Sequence, residues 1–207
     1  MKAALKTAGQ WRQILMDCGV KIITATHWSY IFADVVKTGS FSQGDAEIDD
    51  FLGQVLHESA GLERLSENLN YSAERLCVVW PGRFPTLADA RPYAHNPEAL
   101  ANRVYGGRMG NTRPGDGWRF RARGPIGLTG FDNYTFVGDL IGQDLTVMPE
   151  LMEQPRYALE ATIAWWEDRI PDSMLGDPER VTRRVNGGLI GLADRQALTD
   201  AAGRALA

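Results

Sequence analysis

The most informative part of the sequence is Phe51–Ser72, FLGQVLHESAGLERLSENLNYS, which passes from a helical apolar pattern into a polar loop. At 100° per residue, one apolar stripe before Ser59 is formed by Ile48, Phe51, Leu52, Val55 and Leu56. The pattern predicts an amphipathic helix that packs on a core and ends at Glu58.

Two glutamates of this stretch stand in different settings. Glu58 falls beside Phe51 at the edge of the stripe, and a half-buried carboxyl group is expected to hold its proton more tightly. Glu67 has only polar neighbours and is expected to stay ionised in a loop. A proton donor paired with a proton acceptor is what glycoside hydrolysis requires. Most glutamates on helices are solvated surface residues, so position alone does not establish this chemistry.

Helical spacing and terminal residues predict further helices on both sides of this stretch. The predicted ranges are 8–19, 26–36, 73–79, 97–105, 132–140, 155–168, 178–186 and 193–205. The expected side-chain caps are Ser42, Ser72, Asn96, Thr129 with Asp132, and Asp177. The chain is therefore predicted to be mainly α.

The segment Trp118–Arg123, WRFRAR, is the one place where the pattern favours extended backbone. Its arginines alternate with other residues, and a period of two would place the three cations on one face of a short strand. Single-strand nucleic-acid binders also interleave aromatic and basic residues. The patch is short and the net charge of the chain is −4, so nucleic-acid binding is not favoured. Contact of this segment with an anionic polymer is the favoured interpretation.

Composition and length limit the organisation of the chain. Its 207 residues suffice for one substantial core, and we expect a single domain, 1–207, with an N-terminal helical part, 1–44. The opening residues lack the apolar run of a signal peptide, and no run of about eighteen apolar residues predicts membrane insertion. Cys18 and Cys77 have apolar neighbours and are expected to be reduced core thiols. A monomer is expected.

A zinc site at His57 and Glu58 is excluded by spacing. The metalloprotease pattern needs a second histidine four residues after the first, and that position is Gly61. No other pattern in the sequence indicates a site for a metal or an organic cofactor, so neither kind of group is expected.

Several motifs together resemble those of glycoside hydrolase family 19. They are HES, ENLNYSAERL, GDGWRFRARG, LTGFDNY and NGG, in the order of that family and spread over 45–195. The family contains plant-type chitinases and many bacteriophage endolysins, and the resemblance is to the phage branch. It implies a lysozyme-like helical domain with at most a short hairpin or extended segment at the cleft, and it makes 45–207 the core.

The resemblance also implies roles for particular residues. Glu58 would be the general acid, Glu67 the general base and Thr129 the residue that holds the attacking water. Substrate contacts or support of the acid would come from His57, Asn70, Tyr71, Arg123, Asn133, Tyr134, Asn186 and Arg195. Two of these positions have purely structural interpretations as well. Thr129 can cap a helix, and Asn186 with its two following glycines can end one.

Two positions depart from the family pattern. The family usually has glycine where Ala122 stands and glutamine where Gly127 stands. The alanine adds a methyl group where backbone can need to approach the ligand, and the glycine lacks an amide that could contact a sugar. Weakened activity is therefore conceivable.

Peptidoglycan is the favoured substrate, and chitin is the alternative. The resemblance to the phage branch and the absence of a signal peptide predict an endolysin. It would be made in the host cytoplasm, released by a holin and active on the cell wall in the periplasm. The absence of a wall-binding module suits the thin wall of a Gram-negative host. A bacterial effector and a glycan-binding protein without catalysis remain further possibilities.

Overall fold

The computed structural model describes residues 5–207, which form helices joined by turns. The helices are α1 (Ala8–Asp17), α2 (Ile22–Val35), α3 (Asp45–Glu58), α4 (Ala73–Val79), α5 (Leu87–Ala90), α6 (Pro97–Tyr105), α7 (Asp116–Arg119), α8 (Phe131–Ile141), α9 (Pro155–Arg169), α10 (Pro178–Asn186) and α11 (Leu192–Leu206). Short 3-10 turns lie at Arg91–Tyr93, Pro149–Glu153 and Asp172–Met174. Within residues 5–207, β pairing is limited to isolated bridges that join Ser66 to Arg123 and Arg123 to Leu128. The prediction of a mainly helical fold with at most a short extended segment is confirmed.

The apolar stripe predicted on α3 is confirmed, and it lies in the main core. Phe51 packs edge-on against Phe41 and Trp166, with ring centroids 5.0 and 5.4 Å apart. This core also includes apolar side chains of α1, α2, α9 and α11. Aromatic packing of this kind fixes the position of the helix that carries Glu58.

The opposite side of α3 is covered too, because α11 packs closely against it. A Cβ atom at Gly53 would lie 2.0 Å from Thr199 Oγ1 and 3.0 Å from the Arg195 carbonyl oxygen. Only glycine permits this approach of the two helices. The helix is therefore buried on both sides, although its amphipathic pattern accounts for burial of one side only.

Burial on both sides leaves a carboxyl group of α3 inside the protein. Asp50 is buried, and its Oδ2 accepts a hydrogen bond of 2.6 Å from the Gly176 amide. No partner for Oδ1 is found among residues 5–207. Burial, with a smaller contribution from neighbouring carboxylates, raises the pKa of Asp50 to about 6.

Two smaller cores complete the fold. One lies under α4, α5 and α6 and contains Leu76, Phe84 and Leu100. The other lies between α8, α9 and the turn after α7, around Phe120 and Tyr134. The cleft described below opens where segments carried by these cores meet α3.

Three of the predicted helix caps are confirmed. Ser72 accepts from the Arg75 amide at the start of α4, and Asn96 caps α6 in the same way through the Ala99 amide. Asp177 caps α10. Each side chain satisfies an amide that has no partner within its helix.

Two other predicted caps are wrong. Gly44 precedes α3 without a side-chain cap, and the Ser42 hydroxyl instead lies 3.2 Å from Glu47 and 3.0 Å from Asp172. Gly130 precedes α8 with a φ of +93°, and the Thr129 hydroxyl turns back to its own loop. In both places a glycine makes the turn into the helix, so the preceding hydroxyl is left to bond elsewhere.

The predicted strand at 118–123 is also wrong. The short helix α7 occupies its first part, after Gly115 at a φ of +89°. Arg121 then stacks over the Trp118 ring at 3.9 Å, while Arg123 is buried. Arg121 and Arg123 both pair with Glu153, whereas Arg119 donates to the carbonyl of Thr146.

Cys18 and Cys77 are free thiols, and burial raises the pKa of Cys18 to about 11. In the part of the chain from residue 5 onward, no helix has the length and apolar character needed to cross a bilayer.

Candidate active site

Glu58 and Glu67 line one cleft. The cleft has a volume of about 410 Å³, which is within the usual range for small-molecule sites. Its walls are formed by Glu58, Arg64, Ser66, Glu67, Asn68, Asn70, Tyr71, Ala122, Gly124 and Gly127. Carboxylate, amide and hydroxyl groups thus converge on a single concave surface.

Glu58 is held at the end of α3 by an arginine from α11. Its Oε1 accepts a hydrogen bond of 2.5 Å from Arg195 Nη2, and its side chain remains 28% exposed. Arg195 itself is 1% exposed. A charge-assisted hydrogen bond from a buried guanidinium of this kind fixes the position of the Glu58 side chain.

Arg195 is itself fixed from two other directions. Its Nη1 donates to Gln54 Oε1 at 2.7 Å, and its Nε donates to the carbonyl of Ile190 at 3.1 Å. Gln54 is fully buried, and its Nε2 lies 3.2 Å from Thr182 Oγ1 on α10. A continuous series of hydrogen bonds therefore joins α10, α3 and α11 to the carboxylate of Glu58.

Glu67 is more enclosed than the sequence suggested. Its Oε2 accepts a 2.7 Å hydrogen bond from the Tyr105 hydroxyl, and its Oε1 accepts another of 2.7 Å from the Ala122 amide. Burial raises the pKa of Glu67, and these two hydrogen bonds oppose that shift. Glu67 lies in a loop as predicted, but residues distant in sequence cover its carboxylate.

The backbone around Glu67 is also fixed. The Glu67 amide donates to the Ala122 carbonyl at 3.1 Å, and the bridge from Ser66 to Arg123 continues this pairing. The two glutamates are therefore both held by the folded structure, although one of them lies outside any helix.

Asn70 and Tyr71, predicted as substrate contacts, both line the cleft. Asn70 Oδ1 lies 2.8 Å from His95 Nδ1, which orients the amide. The Tyr71 ring packs edge-on against Trp80 at 5.4 Å. Both side chains are thus oriented by neighbours outside the cleft, and their substrate contacts stay a prediction.

Thr129 and Asn133 come shortly after Gly127 in the sequence, and neither lines the cleft. The Thr129 hydroxyl donates to the carbonyl of Gly127 at 2.8 Å, and Asn133 Nδ2 donates to the Thr129 carbonyl at 2.7 Å. The structure therefore links both residues to the turn at Gly127, which does line the cleft.

Asn186 supports a turn. Its Oδ1 accepts from the Gly188 amide at 2.7 Å, and its Nδ2 donates to the Ile190 carbonyl at 3.1 Å. Gly187 ends α10 with a φ of +77°, as expected for a helix terminator. The same Ile190 carbonyl accepts from Arg195, so the turn contributes to the support of that arginine.

Two predicted substrate contacts are wrong because their side chains are inside the protein. Tyr134 is fully buried, and its hydroxyl donates to the Arg121 carbonyl at 2.8 Å. Arg123 is 5% exposed and pairs with Glu153 and with Tyr134. Both support the segment that carries Ala122, and neither reaches the cleft.

His57 faces away from the cleft. Its Nδ1 lies 2.6 Å from Asp194 Oδ2, and its ring packs against Gly191, where a Cβ would lie 2.2 Å from the imidazole. His57 and its neighbour Glu58 therefore contact successive residues of α11, Asp194 and Arg195. Among residues 5–207, no group of three or more His, Cys, Asp or Glu side chains is placed to hold a metal ion.

Several residues that shape this site were not predicted from the sequence. Gln54 could have been found, because it lies one helical turn before Glu58 and shares its side of α3. Tyr105 carried no such signal, since only the fold brings the end of α6 to Glu67. Arg64, Ser66 and Asn68 also line the cleft, and none was predicted to bind substrate.

The two positions that depart from the family pattern lie on the cleft wall. Ala122 contributes its amide to Glu67, a contact that its side chain does not obstruct. Gly127 adopts a φ of +66°, and a Cβ there would lie 3.8 Å from the Ala122 methyl group. A small side chain at 127 would thus be limited by backbone strain more than by space.

One protein of a described family is similar to most of this chain. No protein-family model matches the chain. A glycosyl hydrolase family 19 domain-containing protein of Haemophilus influenzae (strain ATCC 51907 / DSM 11121 / KW20 / Rd) is 38% identical over 167 residues, which cover 80% of this chain and 82% of the relative.

Two solved structures have a similar fold. Chitinase C from Streptomyces griseus HUT6037 superimposes with a TM-score of 0.57 at 16% identity, over 99% of this chain and 93% of that one. A bacterial family 19 chitinase gives a TM-score of 0.57 at 20% identity, over 98% of this chain and 95% of that one. From the extent and identity of the Haemophilus match, this chain belongs to glycosyl hydrolase family 19.

Proposed function

We propose that this protein is a glycosidase that cleaves the β-1,4 bonds of peptidoglycan with inversion of configuration. The observation that carries the proposal is the placement of Glu58 and Glu67 on the walls of one cleft. Glycosidases use two carboxyl groups on either side of the scissile bond, and inverting enzymes leave room between them for a water molecule.

In this mechanism Glu58 donates its proton to the glycosidic oxygen as the bond to the anomeric carbon breaks. Glu67 accepts a proton from the water whose oxygen bonds to that carbon from the opposite face. The Arg195 guanidinium stabilises the Glu58 carboxylate that remains after proton donation. A raised pKa makes Glu67 a stronger base than an exposed glutamate.

Thr129 is proposed to help position the water. Its hydroxyl hydrogen is engaged by the Gly127 carbonyl, so its oxygen lone pairs are left to accept from a water molecule. Asn133 donates to the Thr129 carbonyl and would steady this turn.

A charge on the cleft wall supports peptidoglycan over chitin. Arg64 contributes a cation to the lining. Peptidoglycan carries carboxylates on its stem peptides, whereas chitin is uncharged. An exposed ionic contact contributes about 0.2 to 1 kcal/mol, so Arg64→Gln should lower activity on peptidoglycan a few-fold relative to chitin oligomers. Arg12→Gln, on exposed α1 surface, is the matched control and should leave this ratio unchanged.

The decisive experiment incubates purified protein with peptidoglycan and with N-acetylglucosamine oligomers and identifies the products by mass spectrometry. Glu58→Gln should lose about 10²- to 10⁴-fold in activity, while Glu98→Gln, an exposed glutamate of α6, should retain it. NMR should detect the inverted anomer first. A retained anomer would refute the role of Glu67, and a fully active, folded Glu58→Gln would refute the acid.

The two carboxyl roles can be separated by chemical rescue. Glu58→Ala should recover activity on a glycoside whose leaving group needs no protonation. Glu67→Ala should recover activity with azide and yield the glycosyl azide of inverted configuration. The opposite pattern would exchange the two roles.

The same experiment decides between the alternatives. Cleavage of chitin oligomers in preference to peptidoglycan would show that the protein is a chitinase. The two solved structures compared above are both described as chitinases. Binding without cleavage would make it a glycan-binding protein, as the changes at Ala122 and Gly127 allow.

We further propose that the protein acts as a phage endolysin, held in the host cytoplasm until a holin opens the inner membrane. Expression in a Gram-negative host should cause lysis only when the inner membrane is permeabilised. Lysis without permeabilisation, or none after it, would contradict this role.

A further inference from the structure

A second groove begins where the cleft ends. It has a volume of about 730 Å³, and its lining includes Ile23, Thr24, His27, Leu65, Ser66 and Pro155. Ser66 lines both this groove and the cleft with the two glutamates. The two depressions therefore share Ser66 and lie next to each other.

One wall of the groove is formed by the outer side of α2. Ile23, which is 82% exposed, and His27 lie one helical turn apart on this side and both line the groove. The inner side carries Trp28 and Phe32, which are buried in the main core. The face is thus presented on a rigid helix.

The charges at the rim of the groove are paired. Glu63 forms an ion pair of 2.8 Å with Lys21, and Glu153 pairs with Arg121 and Arg123. A groove with an apolar wall and compensated rim charges suits an uncharged ligand better than a charged peptide. N-acetylhexosamine rings match this surface, because their apolar faces can pack on Ile23 while their hydroxyl and acetamido groups bond to polar side chains.

We propose that this groove is a remote subsite that binds further N-acetylhexosamine units of the same glycan strand that occupies the cleft. The proposal rests on the proposed glycosidase function and adds to it a binding surface on the N-terminal part, 1–44. Thr24 and His27 are the polar contacts, and Ile23 is the apolar platform. The protein would therefore favour long strands over short oligomers.

Kinetics with substrates of different length test the subsite. The measured quantity is kcat/KM on long peptidoglycan strands divided by kcat/KM on a short oligomer that fills only the cleft. Ile23→Ser combined with His27→Ala should lower this ratio about 10-fold. Val78→Ser removes an apolar side chain that is 68% exposed on α4 and should leave the ratio unchanged. An unchanged ratio in the double variant, or an equal fall in Val78→Ser, would overturn the proposal.

Binding measured by NMR separates this proposal from the catalytic one. In Glu58→Gln, a hexamer of N-acetylglucosamine should shift the amide signals of Thr24 and His27 as well as those of the cleft. A dimer should shift only the cleft signals. Shifts at α2 without cleavage by the wild type would refute the catalytic proposal and leave the subsite standing. Cleavage without shifts at α2 would refute the subsite alone, and no shifts anywhere would refute both.

Discussion

Replacing Gln54 by leucine tests the support of the acid most directly. Leucine retains most of the volume and removes two buried hydrogen bonds, one of 2.7 Å from Arg195 and one of 3.2 Å to Thr182. A buried donor or acceptor left without a partner costs about 1 to 3 kcal/mol, and more if it is charged. We therefore expect a loss of about 2 to 4 kcal/mol in the free energy of unfolding.

The assay is urea unfolding followed by tryptophan fluorescence, with extrapolation to water. Gln13→Leu, an exposed position of α1, is the matched control and should change stability by less than about 0.5 kcal/mol. A double-mutant cycle with Arg195→Met should give a coupling of about 0.5 to 3 kcal/mol. If Gln54→Leu is as stable as the control, or if the coupling is zero, the inferred support of Glu58 through Gln54 is refuted.

The activity of folded Gln54→Leu gives an independent measure. With one of its hydrogen bonds gone, Arg195 should hold Glu58 less firmly, which should lower kcat more than it raises KM. A change confined to KM would place the effect in substrate binding instead.

Three further predictions follow from other parts of the structure. Gly53→Ala should lower the free energy of unfolding by about 1 to 3 kcal/mol, because its Cβ would meet Thr199 at 2.0 Å; thermal or urea unfolding measures this. Asp50 has a pKa of about 6 in the folded protein, so the folded state binds more protons than the unfolded state and loses stability as pH rises from about 4 to above 6. Asp50→Asn should remove this loss. When unfolding is measured across pH, the free energy of unfolding of the variant should exceed that of the wild type by on the order of 2 kcal/mol at pH 8 and by little below pH 4. Tyr105→Phe should raise the pKa of Glu67 further, because the lost hydrogen bond lowers it, and should move the acidic limb of the pH profile of kcat/KM to higher pH.

Matched controls make these predictions specific. Gly9→Ala in α1 has room for its Cβ and should not destabilise the protein. Asp139→Asn, on the exposed surface of α8, should change the free energy of unfolding little. Its difference from the wild type should not grow between pH 4 and 8, as the difference for Asp50→Asn should. Tyr93→Phe should leave the pH profile unchanged. A neutral Gly53→Ala, a pH-independent effect of Asp50→Asn, or an unmoved profile in Tyr105→Phe would contradict the respective explanation.

Local sequence determined the helices and the residue that ends the central one. The apolar stripe of α3 and the caps at Ser72, Asn96 and Asp177 are short-range signals, since each depends on residues within a helical turn or two. The motifs around Glu58 also identified the family from sequence.

The predictions that failed are those in which neighbours distant in sequence decide the environment. Tyr134 and Arg123 belong to a motif resembling the family pattern, yet they lie inside the protein and support the wall at Ala122. Ser42 and Thr129 had the side chains of helix caps, but glycines made the turns instead.

Short-range patterns in the chain are therefore enough to predict a mainly helical protein of this family with Glu58 at the end of a central helix. The surroundings of Glu58 and Glu67 depend instead on the tertiary structure. Glu67 is enclosed because Tyr105 and Ala122 reach it from other segments, and Glu58 is paired because α11 brings Arg195 against α3. Burial and hydrogen bonding depend on all the elements that pack around a group, so they cannot be inferred from its local sequence.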